Sequence, residues 1–97
     1  MDDYRTQRIT DKDLDGNRIR IPSTNTAKSK SILPSDKTRI DVMLKGRRFS
    51  SCSWNPRMGP ERQRSGIIYI GPELAELVEQ DEVLQVTVED DGLVVME

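Results

Sequence analysis

The chain has 97 residues, fifteen Lys+Arg against seventeen Asp+Glu, no histidine and a formal charge of −2. That length allows one small domain and excludes a two-domain enzyme with a large interdomain cleft. At 34% hydrophobic and 33% charged residues, the expected core is thin for a globular chain.

Residues 1–7 are polar and expected to be flexible, so the single domain is expected over 8–97. Arg8–Thr10 could form a short strand. Asp11–Asn17 is dense in turn formers and closes on Asp15-Gly16-Asn17. Arg18–Ile21 alternates basic and apolar residues, which predicts a half-buried strand ended by Pro22. Ser23–Ser31 has almost nothing to bury and reads as an exposed loop or a short helix, followed by the apolar anchor Ile32-Leu33-Pro34.

Thr38–Leu44 alternates again, with Ile40, Val42 and Leu44 on one face and Arg39, Asp41 and Met43 on the other. Lys45-Gly46-Arg47 turns the chain into a second arm, Arg48–Trp54, whose inward residues are Trp54 and either Phe49 or Cys52. Asn55–Ser65 holds two prolines, a glycine and three arginines and reads as a long basic loop. Gly66–Ile70 is an apolar strand. Pro72 then opens a short helix with Leu74, Leu77 and Val78 on one face. Val83–Val88 and Leu93–Met96 are two strands joined by the turn Asp90-Asp91-Gly92. The sum is a mostly β domain with six or seven short strands and one or two short helices, arranged as a small barrel or sandwich.

Catalytic chemistry is not expected. Histidine is absent, so Cys52 lacks the usual base, and a small buried thiol on a strand is the better reading. Asp11, Asp13 and Asp15 mimic the start of a calcium loop, but Pro22 stands where the bidentate glutamate belongs. No phosphate-cradling glycine loop occurs, and no cofactor or metal is implied. A lone cysteine favours a reducing, cytoplasmic setting, nucleoid-associated in a bacterium. No stretch approaches the ~20 apolar residues of a membrane span, and Met1-Asp2-Asp3 does not open a signal segment.

The charge is polarised. Residues 1–66 carry fifteen positive and eight negative charges, a net of +7, while residues 67–97 carry nine negative charges and none positive. Such asymmetry points to an anionic partner unless the two halves pair with each other in the fold. The basic residues fall in two bursts: Asn17, Arg18 and Arg20 leading on to Lys28 and Lys30, and Asn55, Arg57, Arg62 and Arg64 in the loop opened by Trp54. Arginine forks suit phosphate and guanine, and asparagine suits adenine.

The order of these segments resembles the DNA-binding pseudobarrel domains, namely the plant transcription-factor effector domains of auxin-response and abscisic-acid-response type and the N-terminal recognition domain of EcoRII-like restriction enzymes. The residues that carry it are Thr10–Pro22 with its Asn17-Arg18-Ile19-Arg20-Ile21-Pro22 run, then Leu33-Pro34, Ser53-Trp54-Asn55, and Leu77–Leu84. The resemblance spans about residues 8–96. It implies an open seven-stranded pseudobarrel gripping the major groove of double-stranded DNA with two arms, about 13–20 and 54–65. Asn17, Arg18, Arg20, Asn55, Arg57, Arg62 and Arg64 would be contacts and Trp54 a brace. Gln80 departs from the usual glycine, and the second arm is longer than usual. Gly66–Met96 separately resembles the swapped-hairpin barrels of transition-state regulators and antitoxins. A protein-interaction module docking an acidic partner, or a structural component of a larger assembly, is a further alternative. The oligomeric state is open.

Overall fold

The computed structural model describes residues 4–21, 33, 36–56 and 66–97, with Tyr4 described in its backbone only. The chain is mostly β: strands β1 (Tyr4–Arg5), β2 (Arg18–Ile21), β3 (Thr38–Leu44), β4 (Arg47–Asn55), β5 (Gly66–Tyr69), β6 (Gln85–Val88) and β7 (Val94–Met96), with short helices α1 (Asp11–Asp15) and α2 (Leu74–Leu77). They form one seven-stranded sheet in the order β1-β6-β7-β3-β4-β5-β2. Pairing is antiparallel except between β3 and β7, which run parallel. The sheet curls until its two ends meet: the Gln7 amide, just past β1, donates to the Arg20 carbonyl of β2 at 2.9 Å. This is the expected open pseudobarrel. A swapped hairpin built from 66–96 is not the arrangement, because β5 lies between β4 and β2 while β6 and β7 lie beyond β3.

Alternation places the core. Ile19, Ile21, Ile40, Val42, Leu44, Trp54, Ile68, Val86, Val94 and Met96 point inward and are buried, with Leu74 and Val78 of the α2 region closing over them. The β3–β4 hairpin turns on Lys45 and Gly46, both with positive φ (49° and 86°). Such a turn matches the twist of the flanking strands.

Three expectations are corrected. Within residues 1–7, Tyr4 and Arg5 belong to the sheet, pairing with Val86 and Gln85, and Thr6 is 4% exposed. Thr6 exchanges bonds with Leu84, its amide donating to the Leu84 carbonyl and its hydroxyl accepting from the Leu84 amide. Arg8–Thr10 is not a strand; Thr10 is instead the N-cap of α1, which replaces the expected turn at Asp11–Asp15. The two candidate inward residues of β4 are resolved by a bulge. Ile40 pairs with Cys52 and Val42 with Phe49, so Ser50 and Ser51 together face Asp41. The extra residue, with Ser51 at φ 57°, lets Phe49 and Cys52 both turn toward the core.

Cys52 is buried and donates weakly to the Phe49 carbonyl, and burial pushes its thiol up from the ordinary range. Among the described residues, no helix is long and apolar enough to cross a membrane.

Candidate nucleic-acid interface

The register of β2, β5 and β4 brings the bases of the two basic segments together. Arg20 and Asn55 both lie opposite Ile67, one on each side of β5, and Ile21 lies opposite Gly66. The first segment therefore ends beside the residue on which the second returns. Trp54 locks this junction: it is 1% exposed, and a Cβ added to Gly66 would lie 2.3 Å from its Cη2. Only glycine lets β5 start against the indole face, so Trp54 sits under the root of the second segment rather than in solvent.

Asn17 serves the backbone. Its φ of 56° is left-handed, a conformation asparagine tolerates, and its carbonyl accepts from the Ile70 amide at 2.8 Å. Asn55 ends β4 and is half-buried. Lys28, Lys30, Arg57, Arg62 and Arg64 lie outside the described residues.

Arg18 and Arg20 differ from the expectation of two equivalent contacts. Asp13, 1% exposed, projects from α1 onto β2 and collects both guanidiniums. Arg20 is held throughout: its Nε donates to both Asp13 oxygens at 2.9 and 3.1 Å, Nη1 to Gln7 Oε1 at 2.7 Å and Nη2 to the Arg8 carbonyl. Arg20 is therefore chiefly a structural clasp between α1, β2 and the end of β1. Arg18 gives only Nε to Asp13, at 3.3 Å, and its Nη groups have no partner among the described residues. Two cations thus share one buried carboxylate.

The outward face continues the positive character. One row of directly opposed residues crosses four strands: Arg18 on β2, Tyr69 on β5, Ser53 on β4 and Arg39 on β3. Directly paired residues share a face of a sheet. Arg48 lies outward nearby and is paired with Asp41 at 2.9 Å. The Ser51 amide, then Arg48, hold the exposed Asp41 carboxyl below the usual carboxylate range. By contrast, the acids of the last third lie around α2 and at the ends of β6 and β7. The charge division of the sequence is thus only partly a division of the sheet: Arg5 of β1 lies beside β6, and Asp91 of the β6–β7 turn shares a pocket with Arg39 and Arg48.

The halves also meet where Lys45 of the hairpin turn pairs with Glu82. That pair holds Glu82 below the ordinary carboxylate range, Lys45 contributing most and the Glu79 amide adding to it against the opposing effect of burial. A carboxyl depressed in the folded state stabilises above the unfolded pKa of about 4.3 and loses that contribution as pH falls through the folded value. Lys45→Gln should therefore flatten the acid limb of the stability curve below about pH 5 while costing less than about 1 kcal/mol at pH 7. Urea unfolding from pH 7 down to pH 3 checks this, and parallel acid limbs would exclude the role given to the pair.

Tyr69 and Arg39 were not singled out from the sequence. The run Ile67–Ile70 reads as uniformly apolar; the available signal was parity, since Tyr69 must face away from Ile68. Among the described residues no cluster of His, Cys, Asp and Glu could hold a metal ion. No protein-family model matches this chain, and no curated protein matches it.

Proposed function

We propose that this chain is a double-stranded DNA-binding domain with sequence preference, engaging the duplex with the basic segments 13–20 and 54–65, and that it works in the cytoplasm as a regulator or a recognition domain. The observation that supports this most is the β2–β5–β4 register, which sets Arg20 and Asn55 either side of Ile67 and so roots both basic segments on one face. The concentration of acids around α2 and the β6–β7 hairpin adds to it, because a polarised domain approaches a polyanion with one face. The likeness of the motif order to the pseudobarrel DNA-binding domains points the same way. Within this reading Arg18 is the contacting residue of the first segment, and Arg20 positions it through Asp13.

Fluorescence anisotropy with a labelled duplex tests the proposal. Retention at ~50 mM salt is expected, with log affinity falling against log salt by about 0.9 per phosphate contact. Arg18→Ala should weaken binding by ~1–3 kcal/mol, and Glu89→Ala should leave it unchanged. Equal effects from the two, or no retention even at ~50 mM salt, would overturn the reading in favour of a module that docks an acidic protein.

A further inference from the structure

We infer that the outer face of β2-β5-β4-β3 is a second binding surface, one that takes single-stranded nucleic acid by stacking a base on Tyr69. The inference shares with the proposed function the idea of a polyanionic partner and the residue Arg18; Tyr69 and Arg39, which distinguish it, lie outside the two basic segments. Tyr69 is 42% exposed, and among the described residues it is one of two large hydrophobic side chains left in solvent and its hydroxyl has no partner. It lies in the four-strand row between Arg18 and Arg39, with Ser53 beside it.

At ~4.8 Å between strands, Arg18 lies about 5 Å and Arg39 about 10 Å from Tyr69 along the row. The cations keep donors in reserve. Arg18 has both Nη groups without a partner among the described residues, and Arg39 spends only Nη1, on the Ser51 carbonyl at 3.1 Å. Among the described outward-facing residues of these four strands, Asp41 is the only acid and Arg48 already pairs with it; from outside the strands, Asp13 takes the Arg18 Nε, and Asp91 lines a pocket with Arg39.

An aromatic ring open to solvent, with guanidiniums on either side, is what single strands need. Every base has a stacking face, and the flanking phosphates need cations rather than a groove. A duplex offers phosphates but no free base face, because its bases are already stacked. The sheet holds the ring rigidly: Tyr69 is paired with Arg18 on one side and Ser53 on the other, and its neighbour Ile68 is fully buried.

The test uses the full chain, a 12-nucleotide oligo(dT) and a duplex of mixed sequence, both followed by anisotropy at ~50 mM salt. Tyr69→Ala should weaken oligo(dT) binding by about tenfold or more, and Tyr69→Phe, which keeps the ring, should stay within about twofold of the unchanged chain. Arg39→Gln should weaken it and reduce the salt slope by somewhat under one. Duplex affinity should move less than about threefold in the Tyr69 variants. Fluorescence of the buried Trp54 confirms that each variant is folded, which is expected because Tyr69 and Arg39 are exposed and truncating them opens no core cavity. Tyr69→Ala leaving oligo(dT) binding unchanged would overturn the inference. So would equal losses for duplex and single strand, which would make the face a duplex backbone contact. Tyr69-dependent oligo(dT) binding without duplex binding would support it while removing the proposed function.

Discussion

Replacing Trp54 with alanine is expected to cost about 3–5 kcal/mol, which for a domain whose total stability is of order 5–15 kcal/mol removes much of the folded population. The indole is 1% exposed and is the largest of the fully buried side chains. It lies across from Ile68 in the ladder and against Gly66 at the start of β5, so its loss opens a void where three strands of the sheet converge. Gly66→Ala attacks the same contact from the other side. Its Cβ would lie 2.3 Å from one indole carbon and 2.7 Å from another, and neither the backbone nor a buried ring can give way by that much. A loss of about 1–3 kcal/mol or more follows from overpacking of this kind. Urea unfolding followed by circular dichroism measures both variants. Trp54 is the only tryptophan, so fluorescence can follow Gly66→Ala but not Trp54→Ala. If Gly66→Ala proved neutral, the close approach of strand and indole would be wrong, and with it the bracing of the second basic segment.

The strands most legible in the sequence were those whose burial follows a strict two-residue period. Arg18–Ile21 and Thr38–Leu44 have the boundaries and facing that alternation predicts. Alternation could not settle β4, because the bulge at Ser50–Ser51 shifts its parity halfway and leaves no mark in the hydrophobic pattern. The N-terminal strand was missed for a different reason. Tyr4–Thr6 is held mainly by backbone bonds to β6 and by the Thr6–Leu84 exchange, and a polar segment gives no sign of such bonds.

Helix α1 did carry a sign, the Thr10-x-x-Asp13 spacing of a capping box, which was masked by the turn-forming composition around it. In the candidate interface, counting charges located the basic face but treated Arg18 and Arg20 alike. What separates them is the fold of α1 back onto β2, which places one buried carboxylate where Arg20 meets it with two bonds and Arg18 with one. Sequence spacing alone does not say which cation a carboxylate will capture.

That carboxylate sets the second large effect. Asp13→Ala is expected to cost about 2–3 kcal/mol. Breaking a buried ion pair by removing one partner typically costs about 3–5 kcal/mol, but here the arginine side chains remain 31% and 23% exposed, so water recovers part of the loss. The substitution also removes the bond from the Thr10 amide to Asp13 Oδ2, leaving the other half of the capping box, the Asp13 amide donating to Thr10 Oγ1. Thr10→Ala removes that other half and should cost only about 1 kcal/mol, which separates capping from the ionic contribution. A double-mutant cycle on Asp13→Ala and Arg20→Ala isolates the pair, and a coupling of about 1 kcal/mol or more is expected between contacting residues of one network.

The same cycle bears on function. If Arg20 is the clasp and Arg18 the contact, Arg20→Ala should lower stability and weaken duplex binding chiefly through a disordered first segment. Arg18→Ala should weaken binding at nearly unchanged stability. Binding losses that track stability in both variants would return Arg18 to a structural role. The Nη groups that distinguish it from Arg20, without a partner among the described residues, would then have no consequence for the duplex.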